Sequence, residues 1–160
     1  MRGEKFLVKS LEELEELAER VAKEVRAGDL LLLEGELGSG KTAFVKLLAK
    51  VLGFEGEVTS PSFTVVNEYA ATSSPSINKI VHVDLYRLEE NEVAEEGAVR
   101  DVLERVGEER RLTVIEWSDR FRNVNLKDAW RLRFQHGPAG GGVNETETER
   151  VVTVEEWPKR

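Results

Sequence analysis

The chain has 160 residues, 40% hydrophobic and 34% charged, with a net charge of −8 and no cysteine. One domain with a single core, residues 1–160, suits that length, and the missing cysteines exclude disulfides and thiolate metal sites. No apolar run approaches the ~20 residues of a membrane span, the N-terminus lacks a signal-peptide layout, and no Lys/Arg run exceeds two residues, so the expectation is a cytoplasmic protein with no membrane partner that meets nucleic acid only indirectly.

Residues 6–8, FLV, open as a short strand. Ser10 then starts a helix, with Glu13 three residues on as a capping box. Leu11, Leu14, Leu17, Ala18, Val21 and Val25 recur at helical spacing as one apolar stripe,. Gly28 stands where a helix C-terminal glycine belongs. The continuous run DLLLLE, 29–34, reads as a strand buried on both faces of a parallel sheet,. A glycine loop follows, then a second helix, TAFVKLLAKVLG, closed by Gly53. SFTVVNEY (62–69) alternates like a strand, and 70–78 form a polar loop. KIVHVDLY (79–86) and RLTVIEW (111–117) read as strands with helical material between them, and WRLRF (130–134) and RVVTVEEW (150–157) as an antiparallel closing pair,. The whole predicts an α/β, three-layer P-loop NTPase fold with a mostly parallel central sheet and an antiparallel edge pair.

Gly35, Glu36, Leu37, Gly38, Ser39, Gly40, Lys41 and Thr42 match G-x-x-x-x-G-K-[ST],. Glycines let the backbone wrap so that successive N–H groups face phosphate oxygens, and the following helix aims its positive dipole end at the same place. Nucleotide contacts are therefore expected from Leu37, Gly38, Ser39, Gly40, Lys41 and Thr42, with the Thr42 hydroxyl placed for Mg²⁺ and Lys41 for the β- and γ-phosphates. The glycine stretch 137–142 lacks a following helix and a lysine and reads as a hairpin loop.

Such a loop needs an acidic group at a neighbouring strand end, and Asp84 and Glu116 each end an apolar strand,. Glu116 is expected to share the metal with Thr42 and Asp84 to orient water, with the roles exchangeable. TSPSFT (59–64) is either a sensor of the last phosphate or an ordinary loop,. His82 reads as a packed or surface histidine, His136 as a loop residue, and Trp117, Trp130 and Trp157 as packing residues. Arg87 is read as a structural partner, and no arginine in the chain stands out as a finger on the phosphates.

The order GELGSGKT, TSPSFT, HVDLYRL, IEW, from about residue 10 to 120, resembles the TsaE family. These are small bacterial ATPases required for threonylcarbamoyladenosine in tRNA. The resemblance implies ATP and Mg²⁺ as ligands, with Lys41, Thr42, Asp84 and Glu116 serving binding and hydrolysis. It also implies assembly with TsaB and TsaD, hydrolysis resetting the TsaD active site. The family's S-P-T is S-P-S here, Ser62 keeping the hydroxyl. Ser10 and the 137–142 loop are candidates to border the adenine. Two other readings compete. A P-loop kinase of a small molecule or nucleotide would want an arginine-rich lid, and none stands out. A GTP switch would want N-K-x-D, but Asn78 and Lys79 are followed by Ile80 and Val81.

Overall fold

The computed structural model describes residues 3–93, 95–108, 110–120, 129–137 and 149–156. Along them run β1 (Lys5–Val8), α1 (Leu11–Glu24), β2 (Leu30–Gly35), α2 (Lys41–Val51), β3 (Val66–Ala70) and β4 (Lys79–Asp84). There follow α3 (Glu90–Val93), α4 (Gly97–Glu104), β5 (Arg111–Glu116), a 3-10 turn (Ser118–Arg120), β6 (Trp130–His136) and β7 (Arg150–Glu156).

The strands form one sheet in the order β1-β7-β6-β2-β5-β4-β3. Its four central members, β6, β2, β5 and β4, are parallel, as expected. The expectation of a mostly parallel sheet is met only in part, because three of the six pairings are antiparallel. For β3 and β4 the reason is connection length: only residues 71–78 separate them, too few for the crossover of a dozen or more that a parallel neighbour needs. The expected closing pair is present, but β7 is capped in turn by β1, so β1 forms that edge.

Leu30 to Leu33 are all buried, and the two faces of β2 feed separate clusters. Leu31 and Leu33 pack with α1 and α2, while Leu30 and Leu32 pack with Val93, Val99 and Val102 from the α3–α4 region. That explains why β2 reads as a continuous rather than alternating apolar run.

Ser10 caps α1, its hydroxyl accepting from the Glu13 N–H at 3.2 Å. The Glu13 carboxylate accepts from the N–H of Lys9, one residue before the cap. Leu14, Leu17, Ala18 and Val21 are buried, whereas Leu11 is 63% exposed and off the stripe. The helix ends at Glu24 with Val25 as its cap, so Gly28 is not its C-terminal glycine. Gly28 instead turns the chain into β2, donating its N–H to Arg111 O. Gly53 does close α2: its N–H reaches Lys50 O while that of Phe54 reaches Ala49 O,. The expected strand at 62–69 begins only at Val66. Among the described residues no helix is long and apolar enough to cross a membrane.

Candidate functional site

The glycine loop lies where β2 hands over to α2. Gly35 must be glycine, because a Cβ there would stand 2.3 Å from Phe134 O on β6. Gly40 takes φ 106° and precedes α2 without a side-chain cap. The first amides of α2 thus lack a capping side chain, and the helix's positive end faces the loop. At Gly38 a Cβ would meet nothing within 4 Å, so the loop opens onto free space there. This is a cradle suited to phosphate oxygens.

Lys41 is 4% exposed and folds back into the loop. Its Nζ donates to Gly35 O at 2.7 Å and Glu36 O at 2.9 Å, and lies 4.0 Å above the Trp117 ring centroid. Burial lowers its pKa, opposed by the carboxylates of Glu116, Asp84 and Asp119.

Strands β4 and β5 pair so that Asp84 stands opposite Glu116, at the ends of adjacent parallel strands. Both carboxylates are buried. Thr42 Oγ1 donates to Glu116 Oε2 at 3.0 Å. Asp84 Oδ2 accepts from Ser60 Oγ (2.6 Å) and Ser62 Oγ (2.8 Å), and Oδ1 accepts from the Tyr86 N–H. The TSPSFT loop is therefore more than a connection. Its serines hold Asp84, and Val65, the residue after it, takes φ 65° just before β3,.

A cavity of about 450 Å³ brings together the open side of the loop, Lys41, Thr42, Asp84 and Glu116. Among the described residues no group of three or more His, Asp or Glu could hold a metal by protein side chains alone. The donor set of Thr42 hydroxyl and Glu116 carboxylate suits a hard divalent cation whose remaining positions are filled by water and phosphate oxygens.

Three neighbours add to their sequence reading. His82 is packed, as expected, and fully buried, with its Nε2 2.8 Å from Glu116 Oε1. Nδ1 has no hydrogen-bond partner among the described residues. His82 faces Val114 in the ladder, so Glu116, two residues on, shares its side of the sheet,. Trp117 packs against the second core cluster, as expected, but it also shapes the site: half-buried with φ 60°, it lies beneath Lys41 and against Tyr86. Arg150 lines the cavity from β7, although 150–157 had only a structural reading.

Other expectations resolve simply. Trp130 is a packing residue whose Nε1 donates to Asp29. The Arg87 guanidinium lies 3.7 Å from the Phe63 ring centroid, a structural partnership as expected. His136 is the last residue of β6 rather than a loop residue, beside a separate hollow of about 570 Å³ lined also by Glu34, Asp119 and Arg133. The Ser10 hydroxyl is engaged as a cap. Trp157 and residues 138–142 lie outside the described residues.

The family model described as threonylcarbamoyl adenosine biosynthesis protein TsaE matches residues 8–140, further than the motif order traced above. Proteins named tRNA threonylcarbamoyladenosine biosynthesis protein TsaE are similar to this chain. That of Streptomyces coelicolor is 37% identical over 145 residues, 88% of each chain. That of Aquifex aeolicus is 36% identical over 71% of this chain and 76% of its own. That of Synechocystis is 40% identical over 55% of this chain, which spans about half (54%) of that relative. Among solved structures, Bacillus subtilis YdiB shares the fold with a TM-score of 0.66 at 24% identity, over 97% of this chain and 87% of its own.

Proposed function

The chain belongs to the TsaE family of threonylcarbamoyl adenosine biosynthesis proteins, and from that premise we propose that it is a Mg²⁺-dependent ATPase serving threonylcarbamoyladenosine formation in tRNA. The observation that carries the reading is the convergence of Lys41, Thr42, Asp84 and Glu116 on one cavity beside the open glycine loop.

Lys41 exchanges the carbonyls of Gly35 and Glu36 for phosphate oxygens, replacing neutral acceptors with anionic ones and so forming stronger bonds,. The N–H groups from Leu37 to Thr42 bind the remaining oxygens. Thr42 and Glu116, already in contact, would hold Mg²⁺, which supplies charge neutralisation at the transferring phosphate. His82 fixes the Glu116 carboxylate from behind. Asp84, fixed by two serines and the Tyr86 amide, keeps lone-pair capacity on Oδ1 with which to orient the attacking water.

By family resemblance the hydrolysis serves an assembly with TsaB and TsaD in the cytoplasm, resets the TsaD active site, and touches tRNA only through those partners. The test is phosphate release from ATP by the purified protein, alone and then with TsaB and TsaD. Slow release alone, strong stimulation by the partners and loss in Lys41→Ala are expected. Fast release by the isolated chain, or no stimulation, would break the assembly reading. Phosphate passing to an acceptor instead of water would favour a kinase.

A further inference from the structure

We propose that Arg150 is a nucleotide-contacting residue whose guanidinium grips the polyphosphate chain beside Gly40. The inference rests on the ATP-binding reading above and adds to it a cation from the far end of the chain, outside the glycine-loop motif.

Topology brings Arg150 there. β6 runs parallel to β2, so both end at the glycine loop, and β7 runs antiparallel to β6, so it begins at that end. Arg150 is the first residue of β7 and pairs with His136, the last of β6. Its side chain lies along the loop: a Cβ on Gly40 would stand 3.2 Å from Arg150 Cδ and Nε and 3.8 Å from Cζ. Any residue other than glycine at position 40 would press on Arg150 Cδ and Nε as well as strain the backbone. Arg150 also lines the cavity that holds Lys41, Thr42, Asp84 and Glu116.

One nitrogen of the guanidinium is unsatisfied. Among the described residues Arg150 Nε is buried without a hydrogen-bond partner, and Arg150 forms no ion pair. Neighbouring arginines differ: Arg131 and Arg133 of β6 both meet Glu34. Buried polar groups in proteins are almost always paired, so an orphan guanidinium nitrogen requires an explanation. An anion in the cradle provides one, since the planar N–H fork fits phosphate oxygens in pairs. The charge balance agrees, because Lys41 faces three carboxylates, Glu116, Asp84 and Asp119, which leaves room for a second cation at the site.

The test is calorimetric titration of the full chain, its R150Q variant and its R150K variant with two probes, ATP with Mg²⁺ and inorganic tripolyphosphate with Mg²⁺, alongside ligand-free melting. R150Q is expected to weaken both probes in equal proportion, by about ten- to a hundred-fold. R150K should recover part of the loss, and ligand-free melting should stay unchanged. R150Q binding both probes as tightly as the parent would overturn the proposal. A loss confined to ATP would also overturn it, placing the guanidinium on base or sugar. If the parent binds neither probe, the ATP reading itself fails and the inference with it. Should R150Q not fold, R150K must still weaken both probes.

Discussion

Lys41 is a charge held in a place that does not suit it. Burial lowers its pKa from 10.5, so the folded chain releases this proton at lower pH than the unfolded chain does. In the alkaline window below 10.5 the unfolded state binds more protons, and this lysine's contribution to folded stability therefore rises with pH. At neutral pH the buried ammonium is a cost, tolerated because it serves a ligand. Lys41→Met is accordingly expected to melt no lower than the parent at pH 7 without ligand. Its advantage should shrink as the pH is raised, and its ATP hydrolysis should fall by roughly 10²-fold or more. Melting curves across pH, paired with phosphate release, check both. A large ligand-free destabilisation at pH 7 would contradict the assignment of Lys41 to the ligand.

Ser62 raises a related residue-scale point. Its hydroxyl and that of Ser60 share one oxygen of Asp84. Removing it in Ser62→Ala leaves Asp84 with a single serine and is expected to lower hydrolysis by roughly ten- to a hundred-fold, as losing an outer-shell partner does. Ser62→Thr keeps the hydroxyl and should retain parental rates. Equal rates in all three proteins would show that the serine pair does not support the chemistry.

Secondary-structure elements place these residues. The β4–β5 ladder sets Asp84 opposite Glu116, and α2 starts where Thr42 can meet Glu116. α1 has a supporting part: it packs on α2 with Leu14, Leu17, Ala18 and Val21 buried. Its start depends on the Ser10 cap. Ser10→Ala should cost about 1 kcal/mol, lowering the melting temperature by about 2–4 °C for a chain of this size. Hydrolysis at low temperature should be untouched. Thermal denaturation and a parallel rate assay separate the two, and a lost rate with intact melting would give the Ser10 hydroxyl a role at the nucleotide. The Ser10 capping signal was legible because capping is local. The Gly28 signal misled because a positive-φ glycine suits any tight turn, and here it serves the entry to β2.

The whole molecule is a sheet with a separate core on each face. Phe134 joins the sheet to the site: it packs edge-on against Phe44 of α2 at 5.7 Å, and its carbonyl crowds Gly35. Phe134→Ala should cost about 3–5 kcal/mol, as other buried Phe→Ala changes do, and chemical denaturation measures it. A cost below about 1 kcal/mol would mean that the site relaxes around the loss. Ligand should stabilise the whole by mass action. ATP with Mg²⁺ at one hundred times its dissociation constant is expected to add about 2.7 kcal/mol, visible as a thermal shift that Lys41→Ala abolishes.

What was readable in one dimension is what depends on near neighbours in the chain. The glycine loop, the helix that follows it, the buried β2 and the two acidic strand ends all follow from spacing and apolar period, because turn and helix-cap geometry spans only a few residues. Contacts across the sheet were decided by tertiary structure. His82 reaches Glu116 through strand pairing over 34 positions. Trp117 swings under Lys41 through a positive φ. Arg150 arrives at Gly40 because an antiparallel strand happens to begin beside the loop. No periodicity records such meetings, since they depend on strand order and direction, and those are set by how long each connection is and which faces must be buried together.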